Sequence, residues 1–213
     1  MASKPKVGGE KDPDLEAIRA LAPDLVIANI EENRREDVER LRAWGIPVYV
    51  TYPRTVWEGI QLVRQLGEVT GRLEAAEPLA RDLERRYREI VAQAGARAKL
   101  RVFCPIWRRP YMTINRDTYV HDMLALAGGA NVFADRPERY PTVTLDEVAA
   151  ERPEVILLPD EPYRFRKAHL ADFEPYPGIP AVRDGRIHLV DGKLLCWYGP
   201  RIGEALEALP PLF

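Results

Sequence analysis

The chain has 213 residues, 46% of them hydrophobic and 30% charged, with a formal net charge of −2. That is a globular composition, long enough for one large or two small domains. Acidic and basic residues are interspersed, so no basic stripe marks a nucleic-acid surface, and no apolar run approaches the ~18 residues that span a membrane.

The N-terminus, Met1 to Lys11, is polar and carries no signal-peptide core. Pro13 to Leu21 predicts a short helix with Asp12 as its cap, since proline suits the first helical position. Leu25 to Ala28 predicts a buried strand, and Arg35 to Trp44 a helix closed by Gly45. Val48 to Thr51 is the next strand. Val56, Ile60, Val63 and Leu66 have the spacing of an amphipathic helix. This alternation implies a parallel sheet. From 74 to 97, Leu79, Leu83, Tyr87, Ile90, Val91 and Ala94 recur at three- and four-residue steps. They predict one long helix, with Pro78 in its first turn and a length of roughly 30 Å or more. The α/β pattern then resumes: a strand at 101–104, a helix at 118–127 ending at Gly128-Gly129, and a helix at 145–150. Strands at 155–158 and 187–190 and a helix at 200–209 complete it.

One unit occurs twice. Leu15-Glu16-Ala17-Ile18, Ala20, Pro23-Asp24 and Leu25-Val26-Ile27-Ala28 return 130 positions later. There they read Leu145-Asp146-Glu147-Val148, Ala150, Pro153-Glu154 and Val155-Ile156-Leu157-Leu158, with no gap. Each copy reads as a short helix, a Pro-acid turn and a buried strand. Two such units predict two α/β lobes, at residues 1–72 and 99–213, joined by the long helix at 73–98, with a ligand cleft between the lobes. The strand and helix at 101–127 have no counterpart before the first copy, so the first lobe is expected to be incomplete, with only two clear strands.

The residues carry a resemblance. Val7-Gly8-Gly9 leading to Pro13-Asp14-Leu15-Glu16, Glu31-Glu32-Asn33-Arg34 and Gly45-Ile46-Pro47-Val48 are similar to segments of the class III substrate-binding proteins of ABC importers. So are Gly128-Gly129-Ala130-Asn131-Val132-Phe133 and Trp197-Tyr198-Gly199-Pro200-Arg201. This group of helical-backbone metal receptors binds cobalamin, haem and iron–siderophores, and the wording is closest to its cobalamin-binding branch. The resemblance runs from Val7 onward, and family members usually carry about one more strand–helix–strand segment before that point, plus an export signal. It implies two Rossmann-like lobes, an ABC permease as partner, a metal chelate as ligand, no intrinsic cofactor, no catalysis and an extracytoplasmic location. The lack of a signal peptide in this chain leaves a cytoplasmic location open.

Ligands of open α/β sheets meet the loops beyond the carboxyl ends of the strands. Three such loops are rich in aromatics, which give large rigid faces at little entropic cost. The expected ligand-binding residues are Trp107, Tyr111, Tyr163, Trp197 and Tyr198, with Tyr140 just before the second copy and Asn29 and Glu31 past the first copy's strand. Glu31 and Glu161 are equivalent in the repeat. Trp107 and Trp197 are the expected main stacking residues. Glu16 and Asp146, also equivalent, lie on the first turns of the short helices, where acids favour the helix dipole. The resemblance assigns them salt bridges to permease arginines.

Enzyme signatures are weak. His121, His169 and His188 lack metal-ligand spacing, Gly8-Gly9 is not a phosphate loop, and Cys104 and Cys196 form no CxxC pair. A cytoplasmic sensor or enzyme on the same fold, or a truncated form that binds nothing, remains the alternative. The open edge of the first lobe predicts a homodimer through that lobe.

Overall fold

The computed structural model describes residues 4–94 and 98–213. It divides into two compact units, Met1–Tyr52 and Pro53–Phe213. The boundary falls at Tyr52/Pro53 where the sequence had suggested residue 72, because the helix that follows packs against the long helix and belongs with it.

The first unit holds α1 (Leu15–Ala20), β1 (Val26–Asn29), α2 (Arg35–Ala43) and β2 (Val48–Thr51). Helix α1 is capped by Asp14, whose carboxylate accepts the Ala17 N–H, and not by Asp12. Pro13 lies outside the helix, so the cap shifts two residues on. Strands β1 and β2 pair in parallel, Val26 opposite Val48 through Asn29 opposite Thr51. They form a two-stranded sheet. Ile18, Ala28, Val38 and Leu41 form a small core, whereas Ile27 is 49% exposed. Beside β1 lies a recess of about 290 Å³ lined by Val7, Pro13, Ile18, Val26, Val38 and other residues.

The second unit opens with α3 (Val56–Val69) and α4 (Leu73–Ala94). Thr55 caps α3 by accepting the Glu58 N–H. Pro78 stands six residues into α4, in its second turn and not its first. The 22-residue helix is tied to α3 by Arg64, which donates to Glu77 at 2.7 Å and also to Glu84. Hydrogen bonds from Arg64 and then Arg81 hold the Glu77 carboxyl down at about 2. The expected end of the helix at 95–97 lies outside the described residues.

After α4 come β3 (Leu100–Phe103), β4 (Tyr111–Met112), α5 (Tyr119–Ala127), β5 (Gly129–Asn131), β6 (Thr142–Val143) and α6 (Leu145–Glu151). Then follow β7 (Val155–Pro159), a 3-10 helix (Lys167–Phe173), α7 (Pro180–Arg183), β8 (Ile187–Val190), α8 (Lys193–Cys196) and α9 (Arg201–Ala208). Thr118 caps α5, which ends on Gly128 at φ +109°, a left-handed position that glycine takes without a Cβ penalty. Strands β5, β3, β7 and β8 form a four-stranded parallel sheet in that order. All five residues of β7 are buried, as expected for a central parallel strand covered on both faces. Strands β4 and β6 pair antiparallel. Fully burying one large aliphatic side chain stabilises by about 1.5–3 kcal/mol, so β7 anchors the two clusters on its faces, one around Leu157 and one around Ile156 and Leu158.

The 130-residue repeat extends to backbone dihedrals. Ala22 and Arg152, equivalent positions, have φ +46° and +49°. Both copies leave the short helix through a left-handed residue and enter the strand through a proline.

Candidate functional site: aromatic strand-end loops of the second unit

The carboxyl ends of β3, β7 and β8 all open on one end of the parallel sheet. The loop after β3 carries Trp107, and the loop after β7 carries Tyr163. Their rings meet edge to face, with centroids 5.4 Å apart. Tyr163 also packs edge to face on Phe165 at 4.8 Å and tilts against His169 at 5.6 Å. Trp107 is 45% exposed, so a broad indole face is open at the rim of this cluster.

A charged network lies behind the aromatics. The Arg108 guanidinium donates twice to Asp172, at 2.6 and 2.7 Å, and the Tyr111 hydroxyl donates to the same carboxylate at 2.6 Å. Arg108 and Asp172 are 13% and 22% exposed, which makes this planar two-bond pair better sheltered than an ordinary surface ion pair. Hydrogen bonding to Arg108 holds the Asp172 carboxyl below its usual range. Burial, and then the hydrogen bond to Asp172, push the Tyr111 phenol up. Tyr111 stacks on Phe165 and packs against Phe103 and Phe173. It thus stands as the inner wall on which the outer aromatics rest. Burial, followed by Arg108, lowers the His169 imidazole.

The β8 loop supplies a second exposed indole. Trp197 is 49% exposed. Its Nε1–H donates to Glu161 at 2.9 Å, while Lys193 and Arg201 approach the ring at 5.8 and 5.7 Å from its centroid. Glu161 therefore spans the β7 and β8 loops. Tyr198 points the other way. It meets Tyr119 edge to face at 4.8 Å and packs on the larger core cluster. Tyr140 also packs on that cluster, with Arg139 over its ring at 5.5 Å.

Asn29 and Glu31 belong to the first unit. The Asn29 amide donates to Thr51 Oγ1 at 3.1 Å and accepts the Glu31 N–H at 2.8 Å, so it shapes the turn after β1. Glu16 is exposed and 3.9 Å from Arg19. Asp146 is exposed and hydrogen-bonded to Tyr176, whose phenol it raises. Cys104 is a buried thiol that burial pushes up to about 12, and Cys196, likewise in no disulfide, donates to the Gly192 carbonyl at 3.0 Å.

Sequence reasoning missed Arg108, Asp172 and His169. Arg108 and Asp172 are 64 residues apart, and nothing local announces their pairing. The available signal was compositional: a loop reading Trp107-Arg108-Arg109, and a Tyr163–Lys167 run alternating aromatic with cation. Among the described residues no group of three or more His, Cys, Asp or Glu could hold a metal ion.

A parallel-sheet unit whose strand ends present two open indoles, one of them against a braced aromatic wall, has the build of a solute-binding protein. The model of the family described as periplasmic binding protein matches residues 1–194, and the chain belongs to that family. The vitamin B12-binding protein of Vibrio parahaemolyticus serotype O3:K6 (strain RIMD 2210633) is 29% identical over 163 residues, covering 73% of this chain and 59% of that protein. Its counterpart in Salmonella typhimurium (strain LT2) is 33% identical over 145 residues, 68% of this chain and 54% of that one. The chain thus spans little more than half the length of these curated relatives. Among solved structures, the periplasmic vitamin B12 binding protein of Vibrio cholerae superposes with a TM-score of 0.85 at 23% identity, over 97% of this chain and 80% of that one. A periplasmic heme-binding protein from Roseiflexus sp. RS-1 gives 0.82 at 25% identity, over 100% and 83%. Among the described residues no helix is long and apolar enough to cross a membrane.

Proposed function

We propose that this chain captures a metal-chelating macrocycle of the corrinoid or haem type on the strand-end loops of its second unit and hands it to an ABC permease, with no bond made or broken. The observation that carries this reading is the Trp107–Tyr163 pair, open on one side and braced by Arg108, Asp172 and Tyr111 on the other. A flat macrocycle needs rigid apolar faces with few polar groups, and both indoles provide them. The named relatives include vitamin B12- and heme-binding proteins, which supports the same ligand class. An iron–siderophore is a third candidate, which the aromatic surface favours less because such ligands are less planar. The protein needs no intrinsic cofactor for this work, and the reading places it outside the cytoplasm.

Calorimetric titration with cyanocobalamin and with haemin tests the reading. A dissociation constant of about 1 μM or tighter, roughly −8 kcal/mol, is expected for one of them. No heat with either would remove both ligand classes.

Glu16 and Asp146, both exposed and repeat-equivalent, are the proposed contacts to the permease. Glu16→Ala and Asp146→Ala should slow uptake in reconstituted vesicles and leave ligand affinity unchanged; lost ligand affinity would contradict the role. A homodimer through the first unit is the remaining proposal, supported by the two-stranded sheet and the apolar recess beside β1. Light scattering that finds a monomer at micromolar concentration would remove it.

A further inference from the structure

The 3-10 helix after β7 starts against an imidazole. It runs over Lys167–Phe173, with Arg166 as its N-cap and His169 in its third position. The Arg166 N–H donates to His169 Nδ1 at 3.0 Å, and the His169 N–H donates back to the Arg166 carbonyl at 2.8 Å. This is the arrangement of a capping box, in which a side chain at the third position reaches back to the N-cap N–H; glutamate or glutamine usually takes that place. A backbone N–H can only donate, so Nδ1 presents its lone pair there and the neutral ring carries its proton on Nε2.

The same ring belongs to the aromatic wall. Tyr163 tilts against it at 5.6 Å, and Phe165 meets it edge to face at 5.7 Å. Phe165 is buried, whereas Tyr163 and His169 are half-buried. Tyr163 in turn meets Trp107 at 5.4 Å. The far end of the helix is fixed independently, because Asp172 is bonded to Arg108 and Tyr111 and Phe173 is fully buried. Opening the N-cap therefore frees Arg166 and the His169 ring and leaves the Arg108–Asp172 pair in place. The charges that act on His169 come from two elements. Arg108 and Arg109 approach from the loop after β3, and Asp172 and Arg166 belong to its own helix and cap. Three cations outnumber one carboxylate, and that carboxylate is already paired with Arg108.

Protonation of Nδ1 turns the acceptor into a donor, so that two N–H groups face each other. The ring must then turn away, and Tyr163 and Phe165 lose a fixed neighbour. We propose that His169 is a positioning residue for the Tyr163 ring and that its protonation is a release device: acid opens the cap, loosens the wall beside Trp107 and weakens the ligand's hold. This rests on the ligand reading above. The neutral ring makes the bond, so affinity is full near neutral pH and falls as pH drops through the lowered histidine value.

Nuclear magnetic resonance of the whole chain tests the latch without any ligand. Between about pH 7.5 and about pH 5 the Arg166 amide and the His169 ring should titrate together, with a midpoint below 6.5. In His169→Gln the side chain can accept the Arg166 N–H at every pH, as in an ordinary capping box, so that amide should stay in its neutral-pH position throughout. In His169→Ala it should stand unbonded throughout. Calorimetry with cyanocobalamin or haemin, whichever the wild type binds, gives the second readout. Wild-type affinity should fall at least about fivefold from the higher to the lower pH, the low end of coupling between two sites. The glutamine variant should lose none of it, and the alanine variant should be weak at both. By reciprocity, saturating ligand should lower the His169 midpoint further. If neither ligand binds, the ligand reading fails and the amide titration alone decides the latch. An Arg166 amide that does not follow His169, or an acid loss of affinity that His169→Gln shares, overturns the proposal. Circular dichroism of the variants should match the wild type; should the alanine variant unfold, the wild type and His169→Gln decide by themselves.

Discussion

The two copies of the repeated unit have the same local structure and unequal surroundings. Helix α1 and helix α6 start at equivalent residues, both exit through a left-handed residue, and both feed a strand through a proline. Yet β7 is buried at every position between β3 and β8, whereas among the described residues β1 pairs only with β2 and leaves Ile27 half exposed. The comparison separates two levels of structure. Local sequence sets the helix, the turn and the strand; the number of neighbouring strands sets how much each strand stabilises. It also places the better-built support under the aromatic loops of the second unit.

The largest expected contrast lies in the strands themselves. Leu157→Ala in β7 should cost about 2–5 kcal/mol, because it opens a cavity in a packed cluster. Ile27→Ala, its repeat equivalent, should cost about 1 kcal/mol or less, since half the side chain already meets water. Urea denaturation followed by circular dichroism measures both. Equal losses would mean that β1 is covered on its open side in solution, which would favour the dimer.

A smaller effect should be the same in both copies. A non-glycine residue in the left-handed region costs about 1–2 kcal/mol. Glycine relieves this but adds entropy to the unfolded chain. Ala22→Gly and Arg152→Gly should therefore each stabilise by about 0.5 kcal/mol. A gain at one position alone would show that the shared turn is held by tertiary contacts and not by local sequence.

The same division explains what could be read from the residues. The strands, the long helix and the helix stop at Gly128 follow from periodicity and capping chemistry, and the structure has them within a residue or two; Thr118, read as the first residue of its helix, is the cap instead. The β4–β6 pairing was not legible, because two-residue strands carry no period. Nor was β5, whose Gly129 and Ala130 have no strand signature until β3 pairs with them. In the site, Trp107 and Tyr163 were visible as loop aromatics and do meet. Tyr198 and Tyr140 had the same appearance in sequence but pack on the core cluster. The chain direction at a loop is set by distant partners, such as Glu161 for Trp197 and Asp172 for Arg108, and no spacing encodes them.

The central claim, that the ligand rests on the strand-end aromatics of the second unit, is tested most directly by one paired titration. Trp107→Ala removes the open indole beside Tyr163. Trp44→Ala removes an indole of the first unit that sits between Arg19 and Arg40, whose guanidiniums are 4.9 and 5.3 Å from its ring centroid. With cyanocobalamin or haemin, whichever the wild type binds, Trp107→Ala should weaken affinity at least tenfold, the usual cost of about 2 kcal/mol for losing an aromatic anchor. Trp44→Ala should bind as the wild type does. Wild-type affinity in Trp107→Ala, or an equal loss in both variants, would contradict the account.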